Sequence, residues 1–370
     1  MAVVSLHYLI TNQLVIFDAM MKYLLLMLCL LPVITMGQYH VSGKVIDKDT
    51  QQPLAGVSIF LSNASAGTTS GNDGNFTISN VRGGQYEMVI SIIGYATSRQ
   101  TIMVNNNLSL PNVELSLQAI EMKTVRIGID KHWAEHYAIF KQEFLGRSDF
   151  AKDCDILNPH ALDFDYDKDK GELTATASVF LEIENRALGY KIKYMLNSFS
   201  NSYSTGVLYF EGTAFFEDMQ GRPGQVKRWH KNRQQAYLGS SMHFLRSVIS
   251  NRVAEEGFKV ERLIRKPNPA WKGGLNNKYI ETLVTTPLNT TDYIRLTDQK
   301  GEYAIDFKDC LNIIYNNEPL NSSVVIINTP YIFFDNNGII LNPQYVTMDG
   351  VWGGNRVAEL LPVDYEPEAK

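Results

Sequence analysis

The sequence predicts a β-sandwich followed by an α+β region, and three observations predict it. Apolar residues alternate in short runs between Val41 and Leu117, the period of strands with one buried face. Each run is bounded by glycine, asparagine or aspartate in turn-forming groups. Beyond about residue 130 the pattern changes, because amphipathic helical stripes appear among the strands.

The first strand covers Val41 to Asp47, and Gly56 opens a second in which Val57, Ile59 and Leu61 share one face while Ser58 and Phe60 share the other. Asn72, Asp73 and Gly74 precede Phe76 and Ile78. Arg82, Gly83 and Gly84 precede Tyr86, Met88, Ile90 and Ile92, and Gly94 and Tyr95 precede Ile102 and Val104. With Val113, Leu115 and Leu117 these make about seven short strands at sandwich spacing. None of them carries a catalytic pattern.

Some of the same residues carry a resemblance. Gly43 to Asp47, Gln52 to Val57, Asp73 to Phe76 and Ile93 to Tyr95 resemble the carboxypeptidase-regulatory-like domain. The resemblance implies a seven-stranded, transthyretin-like sandwich. Such domains stand at the N-terminus of TonB-dependent outer-membrane receptors and other Gram-negative envelope proteins. It implies no enzyme, since the domain that gave the family its name is a non-catalytic companion of metallocarboxypeptidases.

With 370 residues the chain has room for two cores. Four segments are expected: a signal peptide over 1–37, the sandwich over 38–118, a linker or strand over 119–130, and an α+β domain over 131–370. The signal reading rests on Lys22, the apolar run from Tyr23 to Met36, and Thr35, Met36 and Gly37 at the cleavage positions. Cleavage would leave Gln38 first, and the apolar stretch before Met20 suggests a misassigned start. The alternative is an uncleaved anchor. Cys29 follows Leu28, which does not suit a lipidation signal. A formal charge of -5 speaks against nucleic acid or an anionic membrane as the main partner, while leaving room for local basic patches.

Helical and strand signals alternate in the second region. Trp133, Tyr137, Phe140 and Phe144 form a helical stripe ending at Gly146. A hairpin is expected from Leu162 to Asp167 and from Leu173 to Ile183, with further strands at Tyr190 to Leu196 and Thr205 to Glu211. A long helical stretch follows from Gln225 to Glu256, with Gly239, Ser240 and Ser241 as a possible break. Short strands are expected at Val324 to Ile327 and Tyr331 to Phe334, and a turn at Asn336, Asn337 and Gly338. Only about 240 residues follow the sandwich, too few for a receptor's 22-stranded barrel. The runs Glu143 to Ser148, Ile183 to Tyr190, His243 to Ser247 and Val357 to Pro362 resemble the region that follows the same sandwich in other envelope proteins. That resemblance supports two parts without supplying a mechanism.

Among chemical candidates, His132, Glu135 and His136 match the H-x-x-E-H pattern of zinc peptidases. On a helix the two imidazoles stand one turn apart, so they could share a zinc ion with Glu135 as base. Glu211 or Glu217 could supply a third ligand. Read instead as the H-x-x-E ligand pair of a carboxypeptidase, His132 and Glu135 would take His230 or His243. The competing reading is an amphipathic helix with polar flanks. Asp163, Asp165, Asp167 and Asp169 invite calcium, but Lys170 and Thr176 stand where an EF-hand counted from Asp165 needs glycine and glutamate, which favours a solvated strand. Lys227, Arg228, Trp229, His230, Lys231 and Arg233 could grip an acidic partner or form a solvated helix face around an anchored tryptophan. Cys154 and His160 lack the supporting motif of a nucleophile pair. Cys154 and Cys310 are a candidate disulfide, worth ~4 to 5 kcal/mol if the long loop closes, with two buried thiols as the alternative.

The expectation is therefore an exported, non-catalytic envelope protein with a binding or adaptor module for a protein or glycan. It is placed in the periplasm or at the outer membrane, without a cofactor. The alternative is a zinc-dependent hydrolase.

Overall fold

A computed structural model of the chain describes residues 38–118, 131–274 and 277–368. The expected signal segment and the strand expected over 120–127 lie outside the described residues. What is described is predominantly β, arranged in several sheets with few helices.

Two four-stranded sheets form the N-terminal part. One contains β1 (Tyr39–Asp47), β4 (Asn75–Val81), β7 (Leu108–Ser109) and β8 (Val113–Leu115). The other runs in the order β3 (Gly67–Thr69), β2 (Ser58–Leu61), β5 (Gly84–Ser91) and β6 (Ser98–Val104). Val41, Val45 and Ile78 from the first sheet meet Ile59, Leu61, Met88 and Ile90 from the second in one buried cluster. The alternation in sequence thus becomes two inward faces. Eight strands are present where about seven are expected, and two of the eight, β3 and β7, have too few residues to show an alternation signal.

The next sheet has six strands: β9 (Cys154–Ile156), β10 (Leu162–Asp167), β11 (Glu172–Ala177), β12 (Leu181–Asn185), β13 (Tyr190–Ser202) and β14 (Val207–Asp218). β11 and β12 both pair with the 13-residue β13, which also pairs along β14 with a register shift between Leu196 and Ser198. Helix α1 (Trp133–Leu145) lays Phe140 and Phe144 against Tyr194, Phe199 and Phe210. It ends at Gly146, whose φ of 104° favours glycine.

The long helical stretch is two helices, α2 (Pro223–Tyr237) and α3 (Ser241–Ile249), broken at the expected place. Gly239 has a φ of 80°, and the Ser240 hydroxyl caps α3 by accepting from His243 N–H. Residues 250–256 form turns in place of the expected helix.

A five-stranded sheet follows in the order β16 (Tyr279–Val284), β15 (Phe258–Pro267), β19 (Cys310–Tyr315), β20 (Ser322–Ile327) and β22 (Val346–Asp349). A three-stranded sheet holds β17 (Ile294–Leu296), β18 (Glu302–Ile305) and β21 (Ile332–Asp335). The short helix α4 (Thr290–Tyr293) precedes β17, and α5 (Gly350–Gly354) follows β22. Phe244, Leu245 and Val248 of α3 pack with Phe258, Leu311, Ile313 and Phe334 in a shared core.

Gln38 to Lys370 forms one compact unit. A seam ties the sandwich to the rest of it. Asn63 N–H donates to the Ala214 carbonyl at 2.7 Å, Phe216 N–H to Ala64 at 3.1 Å, and Val363 N–H to Asn63 at 2.7 Å. Arg99 donates to Thr213 and Asn197, and Asp364 accepts from Ser65. Arg246 grips the C-terminal segment by donating to the Val363 and Tyr365 carbonyls, and its third bond goes to Asn337.

Candidate functional site

The H-x-x-E-H letters stand at the start of α1, with His132 as its N-cap and Glu135 and His136 in its first turn. His132 Nδ1 lies 3.2 Å from Glu135 Oε2, with the two side chains 64% and 76% exposed. The His132 and His136 rings are 6.2 Å apart, and His136 packs beside Phe164 and Tyr166. The residues considered as a third ligand are occupied elsewhere. Glu211 accepts from Tyr209, Glu217 pairs with Lys193, and His230 with Glu368. His243 is buried, where its Nδ1 accepts from Gly239 N–H. Among the described residues no group of three or more His, Cys, Asp or Glu is arranged to hold a metal ion.

The aspartate run is a strand edge and a turn. Asp163 and Asp165 are exposed on β10. Asp167 accepts from the backbone N–H of Asp169 and Lys170, and the Lys170 N–H holds its carboxyl below the usual range.

The basic cluster on α2 divides in two. Trp229 is buried and donates to the Arg186 carbonyl at 2.9 Å. Gly189 makes room for it: a Cβ there would meet the indole at 2.2 Å, and the φ of 73° is itself unfavourable to other residues. Asn232 and Arg233 hold the same loop through the Ala187, Leu188 and Gly189 carbonyls, with the Arg233 guanidinium 3.7 Å from the Tyr190 ring centre. Lys227, Arg228, His230 and Lys231 are exposed. The cluster is therefore half scaffold and half solvated face.

Cys154 and Cys310, the candidate disulfide, are both free and buried. They lie in different sheets, Cys154 in β9 and Cys310 in β19, and no bridge joins them. Burial pushes the Cys154 thiol up to about 12, and Cys310 shifts upward for the same reason. Neither has the lowered pKa of a nucleophile.

An open cleft of about 860 Å³ lies where the turns after α3 meet the start of β15 and the loop before α4. Asn251, Asn289, Asn316 and Asn317 line it together with Lys259, and Leu288 supplies an apolar wall. Asn251, Asn316 and Asn317 have φ of 54 to 56°, which asparagine tolerates better than most residues. Lys259 pairs with Glu261 at 2.9 Å and is the lining residue that carries charge. The wall thus offers amide donors and acceptors without an acid and base side by side. Sequence reading missed this cleft. Its local signal was the adjacent pair Asn316 and Asn317, which also reads as ordinary turn chemistry.

Residues 41–127 match the family model described as the CarboxypepD_reg-like domain. This stretch is a carboxypeptidase-regulatory-like domain, as the sequence motifs imply. No curated protein matches the chain. Solved structures that match include an interface mutant of a type II cohesin–X-dockerin complex from Acetivibrio cellulolyticus, at 20% identity and a TM-score of 0.20, covering 21% of this chain and 56% of that one. A DUF3823 family protein from Bacteroides ovatus is 11% identical over 51% of this chain and 83% of its own, at a TM-score of 0.19. The group B streptococcus pilus 2b backbone protein is 22% identical over 22% and 42%, again at 0.19. The chain therefore spans a little over half of the first of these. At such TM-scores the likenesses carry no argument about fold or partners.

Proposed function

We propose that this is an exported, non-catalytic envelope protein, in the periplasm or at the outer membrane. Its regulatory-like domain, a transthyretin-like sandwich on this reading, serves as a binding or adaptor module joined to a larger ligand-holding region. The observation that carries the reading is the chemistry of the cleft: four asparagines and one paired lysine suit the hydroxyls of a glycan or the backbone of a protein segment. A hydrolase would want a positioned acid, base or metal at such a place. The regulatory-like domain supports the same reading, because its family is a companion module.

The test has two arms. Fractionation of cells producing the full chain should recover it in the envelope with Gln38 as the first residue, and a cytosolic pool that keeps residues 1–37 would contradict export. Glycan arrays and envelope crosslinking should then give a ligand whose binding falls in Asn316→Ala and Lys259→Ala. Blank arrays and no crosslinked partner, or binding indifferent to both substitutions, would contradict the assignment of the cleft.

A further inference from the structure

The five-stranded sheet ends in a structure that its own core does not use. β15 pairs with β19 only over Phe258–Leu263, whereas its pairing with β16 continues to Pro267 and Tyr279. Ile264 to Pro267 and Tyr279 to Thr282 are therefore a two-stranded ribbon beyond the last supporting strand. β16 is exposed at Tyr279 through Leu283, on both faces. Ile280 is 52% exposed on one face; Tyr279 and Leu283 are 41% and 45% exposed on the other. Trp271 in the adjoining loop is 41% exposed.

The ribbon is locally basic. The ribbon and its loop, residues 264–282, contain Arg265, Lys266, Lys272 and Lys278 against one carboxylate, Glu281, in a chain of net charge -5. Arg265 is used at the base, paired with Glu281 at 2.7 Å and Asp349 at 3.0 Å. The Lys278 ammonium sits 5.7 Å from the Trp271 ring centre and 5.5 Å from that of Tyr279. The indole N–H is already satisfied, donating to the Gly274 carbonyl at 3.0 Å.

We propose that this ribbon is a membrane-contact element that seats on an anionic phospholipid surface. Aromatic rings interleaved with lysines match the water–hydrocarbon boundary, where rings sit at headgroup depth and ammonium groups reach the phosphates. Apolar side chains on both faces favour a fluid occupant over a flat protein surface, which could cover only one of them. The ladder alternates, and Asn268 N–H bonds Lys278 across it, so the backbone groups of Tyr279, Glu281 and Leu283 point away from β15. These groups need water or phosphate, which limits the ribbon to the headgroup layer. The proposal goes beyond ligand binding in the cleft and does not depend on it.

The experiment is vesicle co-sedimentation of Gln38–Lys370 with tryptophan emission as a second readout. Vesicles of equal parts phosphatidylcholine and phosphatidylglycerol should bind the protein, phosphatidylcholine alone should bind it far less, and added salt should weaken binding. Emission should shift to the blue on binding, and Trp271→Phe should remove that shift. Lys272→Glu with Lys278→Glu should lower partitioning roughly 25-fold or more, at about fivefold per lysine. Unchanged far-ultraviolet dichroism shows that the variants fold. Equal binding to both vesicle types, no binding to either, or unimpaired binding by the double variant would overturn the proposal. Binding to the soluble polyanion heparin without binding to vesicles would also overturn it, and would assign the patch to an acidic macromolecule.

Discussion

The seam and the ribbon are both places where a sheet runs out of partners, and the molecule finishes them in opposite ways. Beyond β2 the chain meets β14 through a parallel bridge between Ala64 and Phe215, and the C-terminal segment adds Val363 to Asn63. Phe60 packs on Phe215 and Phe180 across the same line. Among the described residues β16 receives no such cover. Exposed strand edges are a liability that natural proteins normally hide. An edge left open while its neighbour is sealed points to a surface kept for something outside the chain.

Substitutions at the two places should therefore differ in cost. Gly67 faces Phe215 so closely that a Cβ would come within 2.5 Å of the ring. Gly67→Ala should cost about 1 to 3 kcal/mol, read as a lower denaturant midpoint, because the ring must move out of a packed seam. No change in midpoint would mean that the seam is loose.

A pH effect of intermediate size is expected beside the seam. Asp335 is 7% exposed and accepts from the Asn337 and Ile339 N–H groups, and the Asn337 amide in turn donates to Gln85 in β5. Burial, the largest cause, raises its pKa above the ordinary carboxylate value in spite of those bonds. Its contribution to stability is therefore fully present below the unfolded pKa and is lost as pH rises through the folded one. Asp335→Asn cannot ionise, so its stability relative to the parent should improve as pH rises from the acid range toward neutrality. A parallel pH dependence in the two proteins would count against this.

The smallest effect belongs to the edge strand β16. Leu283→Lys should change the denaturant midpoint by no more than about 0.5 kcal/mol, since the side chain it replaces buries little against the fold. A larger loss would mean that β16 is part of the core after all.

Much of this architecture is legible in the sequence where the signal is local. Val57, Ile59 and Leu61 alternate because one face of β2 is buried, and Phe140 and Phe144 recur at helical spacing because α1 lies on a sheet. Gly239 and Ser240 mark the break between α2 and α3 by turn and cap chemistry. The seam is not legible, because Ser65 meets Asp364 across 299 residues and neither has a pattern that names the other. The ribbon escapes for a different reason: with both faces exposed, Tyr279 to Val284 shows no alternation to read. At the candidate sites, Glu135 and His136 lie in the first turn of α1 while His132 only caps it, and letters at a helix end do not say what stands opposite. The asparagines of the cleft converge from segments far apart in the chain.

Amide hydrogen exchange on Gln38–Lys370, read by mass spectrometry, tests the contrast most directly. The amides of Asn63, Phe216 and Val363, each bonded across the seam, should exchange slowly. Those of Tyr279, Glu281 and Leu283, facing away from β15, should exchange orders of magnitude faster. Protection of β16 equal to that of the seam would contradict the account, because it would mean that the edge is already covered.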